Sequence, residues 1–238
     1  SGGSTHSSWP GGCGGSAVRF KVTNMHINGT VTTDGQRGHK STSTSQSAGG
    51  SGAGGSILLE IAETLTGTGF IRSIGGASRY GSHNNHGSAG GGGRIALICQ
   101  SNDFTGSWLT HGGRGYDGYR SVTDGGAGTV YIDCDNQVKH LILDNNNYEN
   151  PFNSLITNFE QTYFELNVLE VRGRAIVAFR PEGIALSAPV VVDVEEQRGD
   201  KTGILNVIDN TKFMSKGNVG NIVSNTYDTV VLRDGETD

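Results

Sequence analysis

The sequence predicts an all-β chain: a glycine-rich β-solenoid of about four clear coils, continuing into further strands or a small β-sandwich. Three observations predict it. Glycine fills 39 of 238 positions, while hydrophobic residues reach only 34% and charged residues 17%. That mix suits tight turns and close backbone approach and is poor in helix formers. Four segments open on small residues and run on as alternating apolar stretches, the two-residue period of a strand with one buried face. Those segments recur every roughly 35 to 40 residues, the self-similarity of a stacked repeat.

The coils open in order with GGSAVRFKV from Gly14, GGSILLEIA from Gly54, GGRIALICQ from Gly92 and AGTVYIDCD from Ala127. Stacked in register, they form one column of Val18, Ile57, Ile95 and Val130. A second column holds Phe20, Leu59, Leu97 and Ile132, and a third Val22, Ile61, Cys99 and Cys134. Every member is apolar or cysteine. The intervening columns mix Arg19, Leu58, Ala96 and Tyr131 with Lys21, Glu60, Ile98 and Asp133, as expected of a partly exposed face.

The first three coils continue into INGTVTTDG from Ile27, LTGTGFIRSIGG from Leu65 and FTGSWLTHGG from Phe104, where a glycine forms the corner between strands. Asn28-Gly29-Thr30, Thr66-Gly67-Thr68 and Thr105-Gly106-Ser107 are read as equivalent corners. The inserts Gln36 to Gly54, Ala77 to Gly91 and Arg114 to Asp124 read as loops projecting from one side, without a core of their own. Glycine does not recur at every third position along the chain, which excludes a collagen triple helix.

Beyond about Asn145 the glycine signature fades, yet TYFELNVLEV, RAIVAF, APVVVDVEE, TGILNVID and TVVLRD still read as strands. Asp144 to Asn150 and Arg198 to Lys201 read as turns. The expected organisation is a Gly/Ser-rich arm over 1–13, the repeats over 14–147 and an all-β continuation over 148–238.

A net charge of −5 with scattered Lys and Arg gives no footprint for nucleic acid. No apolar run approaches the ~20 residues of a membrane-spanning helix. The first methionine is Met25, so the chain is expected to be a mature or excised portion of a longer precursor.

Candidate chemistry is sparse, and no catalytic, cofactor-binding or metal-ligating set is assigned. Asn28-Gly29-Thr30 is the single N-x-Ser/Thr sequon, a candidate for an N-linked glycan and equally readable as the repeat's own corner. Ser41 to Ser45 could accept O-linked sugars or form a solvated loop. Cys99 and Cys134 share one inward column on successive coils. Stacked strands lie ~4.8 Å apart, within the reach of a disulfide, though a pair of stacked buried thiols fits the same place. Cys13 is left over in either case.

His83, His86, His111 and Asp117 read as loop-surface residues, because loops hold metal ligands poorly without support. Asp133, Asp135 and Asp144 to Asn147 read as turn formers rather than calcium ligands. Gly90 to Gly93 lead into a strand at Arg94, where a phosphate loop would need a helix.

The succession GGSILLEIAETLTGTGFIRSIGG, GGGGRIALICQSNDFTGSWLTHGG and GGAGTVYIDCDNQVKHLILDNNN resembles the glycine-rich repeat region of large secreted protist proteins. These are the sexually induced proteins of algae and the mastigoneme proteins of flagellar hairs. The resemblance spans Gly14 to Asn147, and the chain departs from it in lacking a cysteine-rich EGF-like array. It implies an extracellular glycoprotein of fibres or surface coats, with no catalytic residues to carry over.

The expected function is therefore a structural, non-enzymatic subunit of an extracellular filament or coat, partnered by copies of itself through strand or end-to-end stacking. The segment Ser1 to Gly12, with Trp9-Pro10, is a candidate docking arm. The alternatives are a carbohydrate-binding adhesin using Tyr80, Trp108, Tyr116 and Tyr119 as stacking platforms, or a β-helix polysaccharide lyase or hydrolase.

Overall fold

The computed structural model describes residues 10–39, 48–79, 86–115, 123–135, 138–150, 154–156, 163–179, 190–207, 211–215, 223–226 and 230–232. Among them the chain is all-β. The first half contributes β1 (Ala17–Val22), β2 (Met25–His26), β3 (Thr30–Thr32), β4 (Ser56–Gly67), β5 (Phe70–Arg72), β6 (Arg94–Phe104), β7 (Ser107–Leu109) and β8 (Thr129–Cys134). The second contributes β9 (His140–Asp144), β10 (Ser154–Ile156), β11 (Tyr163–Arg172), β12 (Ile176–Phe179), β13 (Val190–Gly199), β14 (Ile204–Val207), β15 (Thr211–Ser215), β16 (Val223–Thr226) and β17 (Val230–Leu232).

One long sheet runs β1-β4-β6-β8-β9-β11-β13-β15-β17, with β2 also on β4. A sheet β3-β5-β7 and a sheet β10-β12-β14-β16 accompany it. Ala17 pairs Ser56, Ser56 pairs Arg94 and Arg94 pairs Thr129, all in parallel, so the three inward columns of the first half stand in register. The column members on β4, β6 and β8 are buried because each strand stacks like on like: Ile57 is 2% exposed and Leu59 0%.

The corner alignment slips. β4 carries one residue more than its neighbours, with a register irregularity between Ile61 and Thr64. Thr30 pairs Phe70, which pairs Ser107, so Asn28-Gly29-Thr30 stacks on Thr68-Gly69-Phe70, two residues beyond Thr66-Gly67-Thr68, and the extra residue of β4 accounts for one of the two. A bulge of one residue is invisible to an alignment made on glycines alone.

The inserts are also corrected. Residues 48–52, with Gly87, Gly90, Gly112, Gly113 and Gly125, are buried, so the flanks of the inserts form a second interior instead of surface loops. The glycines recur there at three-residue spacing, as in 49/52/55 and 87/90/93, the period of an extended polyproline-II chain. A relay of backbone hydrogen bonds ties the segments together. Gly125 N donates to Gly113 O, Gly113 N to Gly90 O, Gly90 N to Gly76 O, Gly76 N to Gly52 O, Gly52 N to Gln36 O and Gln36 N to Cys13 O, each at 2.8–2.9 Å. A Cβ on Gly90 would lie 2.0 Å from Gly52 O, so no side chain fits there.

The junction between the halves organises the rest. β9 continues the long sheet but runs antiparallel to β8, through the pairs Val130–Ile142, Tyr131–Leu141 and Ile132–His140. From β9 onward every pair in the sheet is again parallel. Val130 and Ile132 belong to the first core, whereas Leu141 and Leu143 belong to a second. Opposed residues share a face of the sheet, so the two cores lie on opposite faces. The half-buried neighbours agree: Ile142 packs on the first core and Tyr131 on the second. Reversing strand direction while the sheet grows onward would invert the hand of the crossovers if they stayed on one face. Moving them to the other face keeps a single hand throughout.

Candidate functional site

Three places carry the residues singled out in the sequence: the β1 edge, the cysteines of β6 and β8, and the β8–β9 joint. Among the described strands, β1 and β3 each pair on one side only, with β4 and β5. Val18, Phe20 and Val31 are only half-buried, while their partners Ile57, Leu59 and Ile71 are sealed. Ser56 N donates to Ser16 O. The alternation of a parallel ladder then turns the N–H and C=O of Ala17, Arg19 and Lys21 toward the open side. Arg19 and Lys21 are exposed, and Arg19 pairs with Glu60.

Asn28 lies on the exposed corner between β2 and β3 at this end. Its Oδ1 accepts hydrogen bonds from Thr68 N at 3.2 Å and Thr68 Oγ1 at 3.4 Å, stitching the first corner to the second. Corner stitching recurs along the same edge, where Asn24 Oδ1 accepts from Thr64 N at 3.1 Å and His26 Nδ1 meets Thr66 Oγ1 at 2.8 Å.

Cys99, in the middle of β6, and Cys134, the last residue of β8, form a disulfide, with S–S 2.07 Å and Cα–Cα 4.5 Å. Cys13 is a free, exposed thiol at the entry to the glycine interior.

At the joint a cleft of about 770 Å³ is lined by Arg94, Thr129, Tyr131, Leu141, Ser154 and Phe164. Tyr131 Oη donates to Asp133 Oδ2 at 3.1 Å. Burial, then the Asp133 charge, pushes the Tyr131 phenol up to about 12. On the opposite face, beyond the last strand of the first core, the sheet turns charged. His140 Nε2 lies 3.1 Å from Glu170 Oε2, a close polar contact without the alignment of a hydrogen bond. Arg172 reaches both Glu170, at 2.5 Å, and Asp144, at 2.8 Å. The His140 contact, then Arg172 against the opposing effect of burial, holds the Glu170 carboxyl below its ordinary 4.5. Arg198 engages Glu196 at 2.8 Å.

One residue escaped the sequence reading. Asn145 is 0% exposed and closes the end of the glycine relay. Its Oδ1 accepts from Gly112 N at 3.0 Å, and its Nδ2 donates to Gly125 O at 3.1 Å and Tyr148 O at 2.9 Å. In sequence it stands among turn residues, and only the buried glycines around it mark it as a cap.

The other candidates are scattered. His111 sits edge-on to Tyr148 at 5.3 Å, its Nδ1 meeting Gly112 O at 2.8 Å. Among the described residues no His, Cys, Asp and Glu gather as a metal-holding group. Trp108 packs edge-on against Phe104, 5.1 Å between centroids, at the margin of the first core. Ser41 to Ser45, Tyr80, His83, Tyr116, Asp117, Tyr119 and Trp9 lie outside the described residues. No helix among the described residues is long and apolar enough to cross a membrane. No family model, curated protein or solved structure matches the chain.

Proposed function

We propose that the chain is a structural, non-catalytic subunit of an extracellular filament or surface coat, a β-solenoid that associates with copies of itself through its strand edges. The observation that carries the reading is the open first rung. Among the described residues β1 and β3 leave one edge unpaired and the apolar row Val18, Phe20 and Val31 half-covered, while the same columns one rung inward are sealed. A further strand laid on that end would bury apolar area and pair orphaned backbone groups together. The likeness of Gly14 to Asn147 to the repeat region of sexually induced and mastigoneme proteins points the same way, as does a disulfide, a bond that persists in oxidising compartments. In such a compartment Asn28 would carry an N-linked glycan.

Sedimentation velocity across a wide concentration range, with electron microscopy of the same samples, tests the reading. Concentration-dependent fibres are the expected outcome. A chain that stays monomeric throughout would overturn it. A second reading, a sugar-binding module, draws on the joint cleft with its Tyr131 and Phe164 rings and Ser154 and Thr129 hydroxyls. Glycan binding by a strictly monomeric chain would favour it.

A further inference from the structure

The two ends of the long sheet are β1 and β17. Among the described strands β1 pairs along its full length with β4 alone, and β17 with β15 alone. Because the strands reverse once, at β8–β9, β1 and β17 run in opposite directions. In a stack that was parallel throughout, adding a second copy in the same orientation would set parallel strands side by side. Here the same translation sets β17 of one copy antiparallel to β1 of the next.

From this polarity we propose that successive copies join head to tail, β17 of one pairing antiparallel with β1 of the next, in a repeat of the internal β8–β9 joint. The inference rests on the reading of the chain as a self-assembling subunit. Three features favour the tail as the occupant of the head. First, the internal joint demonstrates that a stack with its core on one face of the sheet can abut a stack with its core on the other. A copy added by translation alternates the faces once more, with the hand of the crossovers kept.

Second, the internal joint needs only three residue pairs, and β17 spans three residues. Third, the competing head-to-head pairing is electrostatically poor. Arg19, ion-paired with Glu60, and Lys21 occupy the exposed row of β1, and a two-fold pairing would crowd two cations from each copy around a single Glu60 carboxylate per copy. At the internal joint the half-buried Ile142 lies against the margin of the first core, the role a strand on β1 would play for Val18 and Phe20. The outcome is a polar fibre with one continuous sheet and cores alternating on its two faces.

A complementation experiment reads the polarity. Arg19→Pro removes an outward N–H of β1 and leaves the bonds to β4 in place. Val230→Pro and Val231→Pro, made separately because alternate residues direct their N–H to opposite sides, block the β17 edge in one of the two. Head-to-tail joining predicts that Arg19→Pro and the effective tail variant are each monomeric alone, and that a 1:1 mixture sediments as dimers. That dimer also certifies that both variants are folded, since each contributes an intact end.

Assembly of the tail-blocked variants by themselves, with Arg19→Pro monomeric, would show head-to-head pairing and overturn the proposal. Fibres from every variant would place the contact elsewhere, overturning the joint while leaving the filament reading intact. Failure of the unmodified chain to assemble would remove both.

Discussion

Gly90→Ala tests whether the glycine interior is a packed structure. The added Cβ would stand 2.0 Å from Gly52 O and 2.6 Å from its carbonyl carbon, whereas ordinary contact begins at 3.4 Å. Both neighbours are backbone, so no side chain can swing aside. Gly52 O must retreat by more than an ångström, away from Gly76 N at 2.9 Å, and the bonds of Gly90 to Gly76 and Gly113 move with it. Overpacking of this kind costs about 1–3 kcal/mol, and each disturbed hydrogen bond adds about 1 kcal/mol. A loss of roughly 4–6 kcal/mol follows, a large share of the ~5–15 kcal/mol that holds a native domain together.

For a chain of this size that corresponds to a fall in Tm of about 10 °C. The control is Gly29→Ala at an exposed corner, where an added Cβ meets nothing within 4 Å and the expected change is within ~0.5 kcal/mol. Thermal and urea unfolding followed by circular dichroism compare the two. Equal, small shifts in both variants would refute the close-packed interior.

Four more outcomes are expected. The Cys99–Cys134 bond closes a loop of 35 residues, so its loss in Cys99→Ala/Cys134→Ala should cost roughly 3–4 kcal/mol on the chain-entropy account, read as a lower urea midpoint. An unchanged midpoint would mean the bond constrains little. Asn145→Ala should lose about 2–4 kcal/mol, because it strands the N–H of Gly112 and the carbonyl of Gly125 in a buried site; a loss below 1 kcal/mol would contradict the capping role.

Glu170, whose pKa is lowered on folding, contributes stability that is fully present above its ordinary 4.5 and is lost as pH falls through the depressed folded value. Glu170→Gln should therefore flatten the acid limb of the stability profile, and an unaltered limb would rule this out. Expressed through a eukaryotic secretory pathway, the chain should show a glycan mass that peptide-N-glycosidase removes and that Asn28→Gln lacks. Intact mass spectrometry without that increment would dismiss the site.

The inward columns were legible in the sequence because the two-residue alternation survives unchanged in four segments, and each column stacks like residues from Val18 to Val130 and from Phe20 to Ile132. Of the second-half strands β11, β12, β13, β14 and β17 were legible for the same reason, although β9, β10, β15 and β16, each of five residues or fewer, were not. The corner register was hidden because the glycine spacing looks regular while the true stacking lies two residues further along β4, one of them the extra residue after Ile61. The glycine inserts misled because low complexity resembles a loop until their backbones are seen hydrogen-bonded in a relay across 12–24 residues.

The sequence alone determined that the chain would be all-β and where its apolar columns lie, since local alternation and glycine placement are properties of short segments. Only the tertiary structure decided that the sheet reverses at β8–β9, that the cores sit on opposite faces, that Cys99 bonds Cys134 and that Asn145 caps a buried relay. Each of those depends on which distant segments meet, and a strand has the same alternation whichever way it runs beside its neighbour.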